Sequence, residues 1–213
     1  MIYYSDYDLV LLDILKNGSN LLKQLFEYTF ERKADRPYFL REPQIFIVVC
    51  RNPYDRLVSQ FYHINAKELR NNYRYAIHYP FFRKWVKETY GMGYDGNDGH
   101  YYSQSHIIQY DKFPELPYSI FKMEELIPHQ LFWYMDLTDE KKSQIDEQFL
   151  EITNELVKTH HHSMGNSKQG LWKTFYDSET IEVCNQYFAD DFRIFGYDMI
   201  DPLKWETPKR SVL

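Results

Sequence analysis

Two short apolar runs, each ended by a cation, do most to limit how this chain can fold. Residues 9–15 read LVLLDIL and lead to Lys16, while residues 45–50 read IFIVVC and lead to Arg51. Runs of this length, rich in aliphatic and β-branched residues, suit strands buried on both faces. Between them, KNGSN (16–20) supplies a turn glycine and helix-capping residues. Leu21, Leu22, Leu25, Phe26 and Phe30 then recur at helical spacing, so Ser19 or Asn20 is expected to cap a helix reaching about Arg32. Strand, helix and strand in that order make a right-handed βαβ unit with parallel strands. Open parallel sheets gather ligands at the carboxyl ends of their strands, where Lys16 and Arg51 both fall.

The rest of the chain continues the alternation. Asn52 suits the cap and Pro53 the first turn of a helix with Leu57, Val58, Phe61 and Tyr62 on its apolar face, running to about Arg70. A further helix is expected over 80–90. GMGYDGNDGH (91–100) then forms a glycine-rich loop, either a plain connection or a wall facing an acceptor. YSIFK (118–122) reads as a third strand, followed by a helix around MEELIPHQLFWYM (123–135) that Pro128 breaks or kinks. Amphipathic helices are expected over 139–159 and 178–193, the latter ended by Gly196.

A chain of 213 residues, 44% hydrophobic, can bury one sizeable core, and residues 1–213 are read as a single domain. The net charge of −6 disfavours a broad phosphate-backbone footprint, so nucleic acid is not an expected partner. No apolar run reaches 18 residues and the N-terminus lacks signal-peptide sections, so no integral membrane segment is expected and the expected location is cytoplasmic. Cys50 and Cys184 are expected to be reduced core thiols.

LLDILKNGSNLL (11–22) has the ingredients of an anion cradle: a loop glycine, hydroxyl and amide side chains, and the positive end of a helix. Alone it reads more readily as a structural turn capping a helix. A Walker-type loop needs its lysine after the glycines, whereas Lys16 precedes Gly18, which disfavours a nucleotide kinase or NTPase without removing that alternative. Arg51 at a strand end needs an anion or carboxylate. Ser59 lies two turns into the following helix, off its apolar stripe, where a hydroxyl and a guanidinium can share one phosphate.

At this point LKNGSNL and RNPYDRLVSQFY resemble the two cofactor motifs of the sulfotransferases that use 3′-phosphoadenosine-5′-phosphosulfate (PAPS), in particular the carbohydrate sulfotransferase branch. The 5′-phosphosulfate pattern K-x-G-[ST]-[ST]-L is met by Lys16, Gly18, Ser19 and Leu21, with Asn20 in place of a hydroxyl and Leu15 in place of the usual proline. The 3′-phosphate pattern R-[ND]-P-x-x-R-x-x-S is met in full by Arg51, Asn52, Pro53, Arg56 and Ser59. HYYSQSHII resembles an H-x-x-x-Q segment, YSIFKMEELIPHQLFWY a strand and E-x-L helix, and YFADDFRIFGYD the family's C-terminal ending, so the likeness runs from about residue 9 to residue 198.

The resemblance implies an α/β, P-loop-like three-layer fold with a small parallel sheet flanked by helices. It implies PAPS as sulfuryl donor, PAP as product, and a hydroxyl acceptor, carbohydrate or another small molecule. Lys16, Asn17, Gly18, Ser19 and Asn20 would hold the 5′-phosphosulfate, and Arg51 and Ser59 the 3′-phosphate. Lys16 would offset charge growing on the leaving phosphate in a transfer that needs no metal. His100, in the H-x-x-x-Q segment, is the first candidate for the general base or else a structural loop histidine, with His63 and Glu42 in reserve. Trp172 either stacks on adenine or serves the core. Lys168 and Gly170 resemble a loop that closes over the 3′-phosphate or form a surface turn, and Glu124 pairs structurally. His160, His161 and His162 point about 100° apart on a helix and suit a solvated helix end rather than a metal. A nucleotide-binding module without activity is the remaining alternative.

Overall fold

The structure, a computed structural model, describes residues 2–4, 8–31, 45–69, 75–93, 98–159 and 171–207. The chain divides into two compact units, Met1–Arg51 with Ile108–His161 and Asn52–Ile107 with His162–Leu213. Neither is continuous in sequence, so a search for linkers along the chain finds no boundary.

The first unit is built on a four-stranded sheet in the order β1 (Ile2–Tyr4), β2 (Leu9–Leu12), β3 (Ile45–Cys50), β4 (Tyr118–Lys122). β2, β3 and β4 run parallel, with Leu11 opposite Ile47 and Val49 opposite Phe121, and β1 is antiparallel to β2. The three parallel strands are those expected from the apolar runs, although the first ends at Leu12. Ile14 is buried from a loop instead, because an apolar residue can enter the core without strand geometry. β1 was not expected. Its three residues are too few to show a period.

Side-chain alternation divides this sheet. On one side Tyr4 packs at 4.8 Å from Phe30 of α1 (Ser19–Phe30), and Phe26 lies 4.7 Å from Phe132. On the other, Tyr3, Val10 and Phe46 form a smaller cluster with Leu12, Leu116 and Tyr118. α6 (Asp139–Thr159), with its expected bounds, packs along α1. Full burial of a ring such as Phe26 contributes about 1.5–3 kcal/mol. The helix expected over 123–135 is instead two 3₁₀ turns, Met123–Glu125 and Pro128–Phe132. Pro128 forces the residue before it out of the helical region, and Ile127 sits at φ −99° and ψ 112°.

The second unit is helical: α2 (Pro53–Ile64), α3 (Ala66–Leu69), α4 (Tyr75–Thr89), α5 (Gln104–Ile107), α7 (Ser178–Tyr187) and α8 (Ala189–Phe195). Its core gathers Tyr54, Leu57, Phe61, Phe82, Tyr176, Ile181 and Phe192. Asn52 caps α2 as expected, its Oδ1 accepting from the Tyr54 N–H at 3.0 Å. α4 begins before Pro80 and carries that proline inside it. The expected helix over 178–193 is broken at Phe188, and Gly196, at φ 64°, ends α8. The Tyr54 hydroxyl donates to Asn185 Oδ1 and accepts from the Ile200 N–H at 2.9 Å, while Tyr176 donates to the Tyr54 carbonyl at 2.8 Å. Burial pushes both phenols above their ordinary range, which keeps them neutral donors. No helix among the described residues is long and apolar enough to cross a membrane. Cys50 and Cys184 are both buried thiols, and Cys50 Sγ donates to the Phe121 carbonyl at 3.4 Å.

Candidate active site

The loop between β2 and α1 is shaped by backbone conformation more than by side chains. Lys16 adopts φ 73° and Gly18 φ 80°, both left-handed. For lysine that conformation costs on the order of 1–3 kcal/mol, so something must hold it. The Asn17 N–H donates to the Ile14 carbonyl at 3.2 Å, closing a turn, and Ser19 Oγ donates to the same carbonyl at 3.1 Å. At Gly18 a Cβ would stand 3.0 Å from Met123 Cε, so both the conformation and the close approach of Met123 require glycine.

Two side chains tie this loop to the end of β3. Asn17 is 1% exposed and its Nδ2 donates to the Val49 carbonyl at 2.8 Å. Arg51 is 8% exposed and its Nη1 donates to the Lys16 carbonyl at 3.0 Å. The guanidinium therefore turns toward the glycine turn.

α1 starts directly from this turn. Its N-cap is Gly18, with no side-chain cap, where Ser19 or Asn20 had been expected, because the Ser19 hydroxyl is engaged with Ile14. The Leu22 N–H bonds to the Gly18 carbonyl at 2.9 Å, so the amides of Ser19, Asn20 and Leu21 have no partner inside the helix. No acidic residue occupies the first turn. Lone amides at a positive dipole end, beside a lysine and a glycine cradle, fit a phosphosulfate group.

The second motif divides its residues among different tasks. Arg51 reaches the loop and Asn52 caps α2. Arg56 is 1% exposed and lies near the buried Tyr90 phenol, which accepts a hydrogen bond from Gln60 Nε2 at 2.5 Å. Burial pushes that phenol upward and the Arg56 charge opposes the shift, so Arg56 belongs to the interior of the second unit. Ser59 is buried on α2.

His100 lies in a compact side-chain cluster of the second unit. Asp98 Oδ1 accepts from the His100 backbone N–H at 2.9 Å and lies 2.8 Å from His100 Nδ1. These contacts hold the exposed Asp98 carboxyl below its usual range, with the backbone hydrogen bond the larger cause. The His63 ring stacks on His100, centroids 4.7 Å apart and planes at 23°. The two histidines were separate candidates in the sequence, and the structure brings them together. Asp98 was missed, although D-x-H is a local spacing that lets one carboxylate meet both backbone and ring. The segment that follows is anchored by Asp191, which is fully buried and accepts from the N–H groups of Gln104 at 2.8 Å and Ser105 at 2.7 Å.

Trp172 stacks face to face on Tyr54 at 5.1 Å and, partly buried, packs against the core of the second unit. Glu124 is exposed in the 3₁₀ turn after β4. Glu42, His160, His161, His162, Lys168 and Gly170 lie outside the described residues. Met123, beside Gly18, carried no signal in the sequence.

Searches of curated proteins and of solved structures found no match. The model of the sulfotransferase family matches residues 1–198, and the chain therefore belongs to this family of PAPS-dependent sulfotransferases.

Proposed function

We propose that this enzyme moves a sulfuryl group from PAPS to a hydroxyl of a carbohydrate acceptor, by in-line transfer without a metal. The observation that carries the reading is the loop at the carboxyl ends of β2 and β3. It combines a left-handed Gly18, a helix N-terminus with lone amides, and the Arg51 guanidinium bonded to the Lys16 carbonyl. PAPS, when bound, supplies the activated sulfuryl group, and PAP remains.

Each residue then has a task. The amides of Gly18, Ser19 and Asn20, with the Ser19 hydroxyl and the Asn20 amide, hold the 5′-phosphosulfate. The Lys16 ammonium offsets negative charge on the leaving phosphate, a contribution of the kind worth about 10²–10³ in turnover. Arg51 binds the 3′-phosphate, and Ser59 is assigned with it by the motif alone. Asn17 acts through its bond to Val49 rather than by touching the cofactor. His100, oriented by Asp98, takes the proton of the acceptor hydroxyl.

Calorimetry with adenosine 3′,5′-bisphosphate and with AMP tests the cofactor assignment. The parent is expected to prefer the bisphosphate, and Arg51→Ala to remove most of the preference. Equal affinity of the parent for both nucleotides overturns it. A panel of glycans and small alcohols, assayed with PAPS, tests the acceptor class, and transfer to alcohols alone rejects the carbohydrate.

A further inference from the structure

We propose that Asn17 and Arg51 form a reciprocal clasp that fixes the backbone of Lys16, so that Arg51 governs the 5′ end of the cofactor as well as its 3′-phosphate. The inference rests on reading residues 16–20 as the 5′-phosphosulfate cradle.

The geometry is two crossed hydrogen bonds in opposite senses. A loop side chain, Asn17, reaches the carbonyl of Val49 in β3, and a side chain just beyond β3, Arg51, reaches the carbonyl of Lys16 in the loop. The donors and acceptors alternate across four positions, 16, 17, 49 and 51. Both side chains are buried, so water does not compete for these carbonyls as it would at a surface. The anchor is stiff, because β3 pairs with a parallel strand on each side and Val49 itself lies opposite Phe121.

What the clasp restrains is the residue that most needs it. Lys16 is a non-glycine residue at φ 73°, one peptide away from Asn17 and two from Gly18. Loss of either bond frees the Lys16 peptide to relax toward ordinary conformations, and the amides of Gly18 and Ser19 turn with it. A residue that only bound the 3′-phosphate would have no need of the Lys16 carbonyl. Arg51 and Asn17 are therefore positioning residues for the 5′ cradle.

Adenosine 5′-phosphosulfate separates the two roles of Arg51, since it carries the 5′ group and lacks the 3′-phosphate. Calorimetry with this probe would compare the parent with Arg51→Met, which keeps length but has no donor, with Arg51→Lys, which keeps a donor, and with Asn17→Ala. Arg51→Met and Asn17→Ala are each expected to weaken the probe about tenfold, the scale of one buried hydrogen bond, and Arg51→Lys by less than about threefold. The unfolding midpoint of each variant serves as control for global damage. Unchanged affinity for the probe in Arg51→Met, with lost affinity for adenosine 3′,5′-bisphosphate, overturns the clasp and leaves Arg51 a 3′-phosphate ligand. Should the parent show no preference for the bisphosphate over AMP, the cofactor reading fails instead. The clasp is then read by amide exchange of residues 15–19, expected to quicken in Arg51→Met and Asn17→Ala and overturned if it does not.

Discussion

Among the described residues, two histidine–aspartate pairs share nearly the same local geometry, one in each unit. In the first unit Asp146 accepts from the His129 N–H at 3.0 Å and lies 2.8 Å from its Nδ1. In the second, Asp98 meets the same two atoms of His100 at 2.9 and 2.8 Å. What differs is what each pair joins. His129 lies in the 3₁₀ turn Pro128–Phe132 and Asp146 sits on α6, seventeen residues away, so the contact fastens two elements together. His100 and Asp98 are two residues apart in one turn, where the pair fastens nothing distant and the ring is stacked on a second histidine. A hydrogen-bonded imidazole thus says little about role until the sequence separation and the neighbours are known.

The largest effect should come from removing the imidazole of the local pair. His100→Ala is expected to lower turnover about 10²–10³-fold on the best acceptor from the panel, with affinity for adenosine 3′,5′-bisphosphate unchanged, in keeping with loss of a general base. Equal activity in parent and variant, measured under saturating PAPS, removes His100 from the mechanism and makes the two pairs alike. Asp98→Ala should cost less, about 10- to 10²-fold, because the ring is still present but no longer held. A variant whose KM for the acceptor rises while turnover is kept would show that Asp98 shapes the acceptor pocket instead.

The same contrast explains how much could be read beforehand. The parallel strands were legible because IFIVVC and YSIFK are apolar runs of strand length, and both came out with the expected ends. The helix cap at Gly18 was misplaced by one or two positions, because capping preferences do not know that the Ser19 hydroxyl has a better partner in Ile14. Arg51 and Lys16 were legible as cations that follow apolar runs. The bond between them was not, as it depends on a left-handed lysine that no propensity predicts. Stacking of His63 on His100 was equally hidden, being a contact across 37 positions that periodicity along either segment cannot show.

The long-range pair should behave in the opposite way under mutation. His129→Ala is expected to leave turnover within about twofold of the parent and to reduce stability by about 0.5–1 kcal/mol, a modest figure because both side chains are partly exposed. Chemical denaturation measures it, and a large loss of activity at full stability would erase the distinction drawn above.

The smallest effect is a pH dependence confined to the acid range. Contact with His100 lowers the Asp98 carboxyl from its reference value of 3.8, so its stabilising contribution is present above that value. The contribution is lost as pH falls through the lowered value of the folded state. The carboxylate is exposed, so the change should be slight, and it should be absent in Asp98→Ala. Comparison of denaturation curves for parent and variant between about pH 2 and pH 6 gives the sign directly. Their difference must shrink toward the acid end, because protonation removes from the parent what the substitution has already removed. A difference that persists unchanged at the lowest pH means that Asp98 stabilises this turn through packing rather than through hydrogen bonds to its carboxylate.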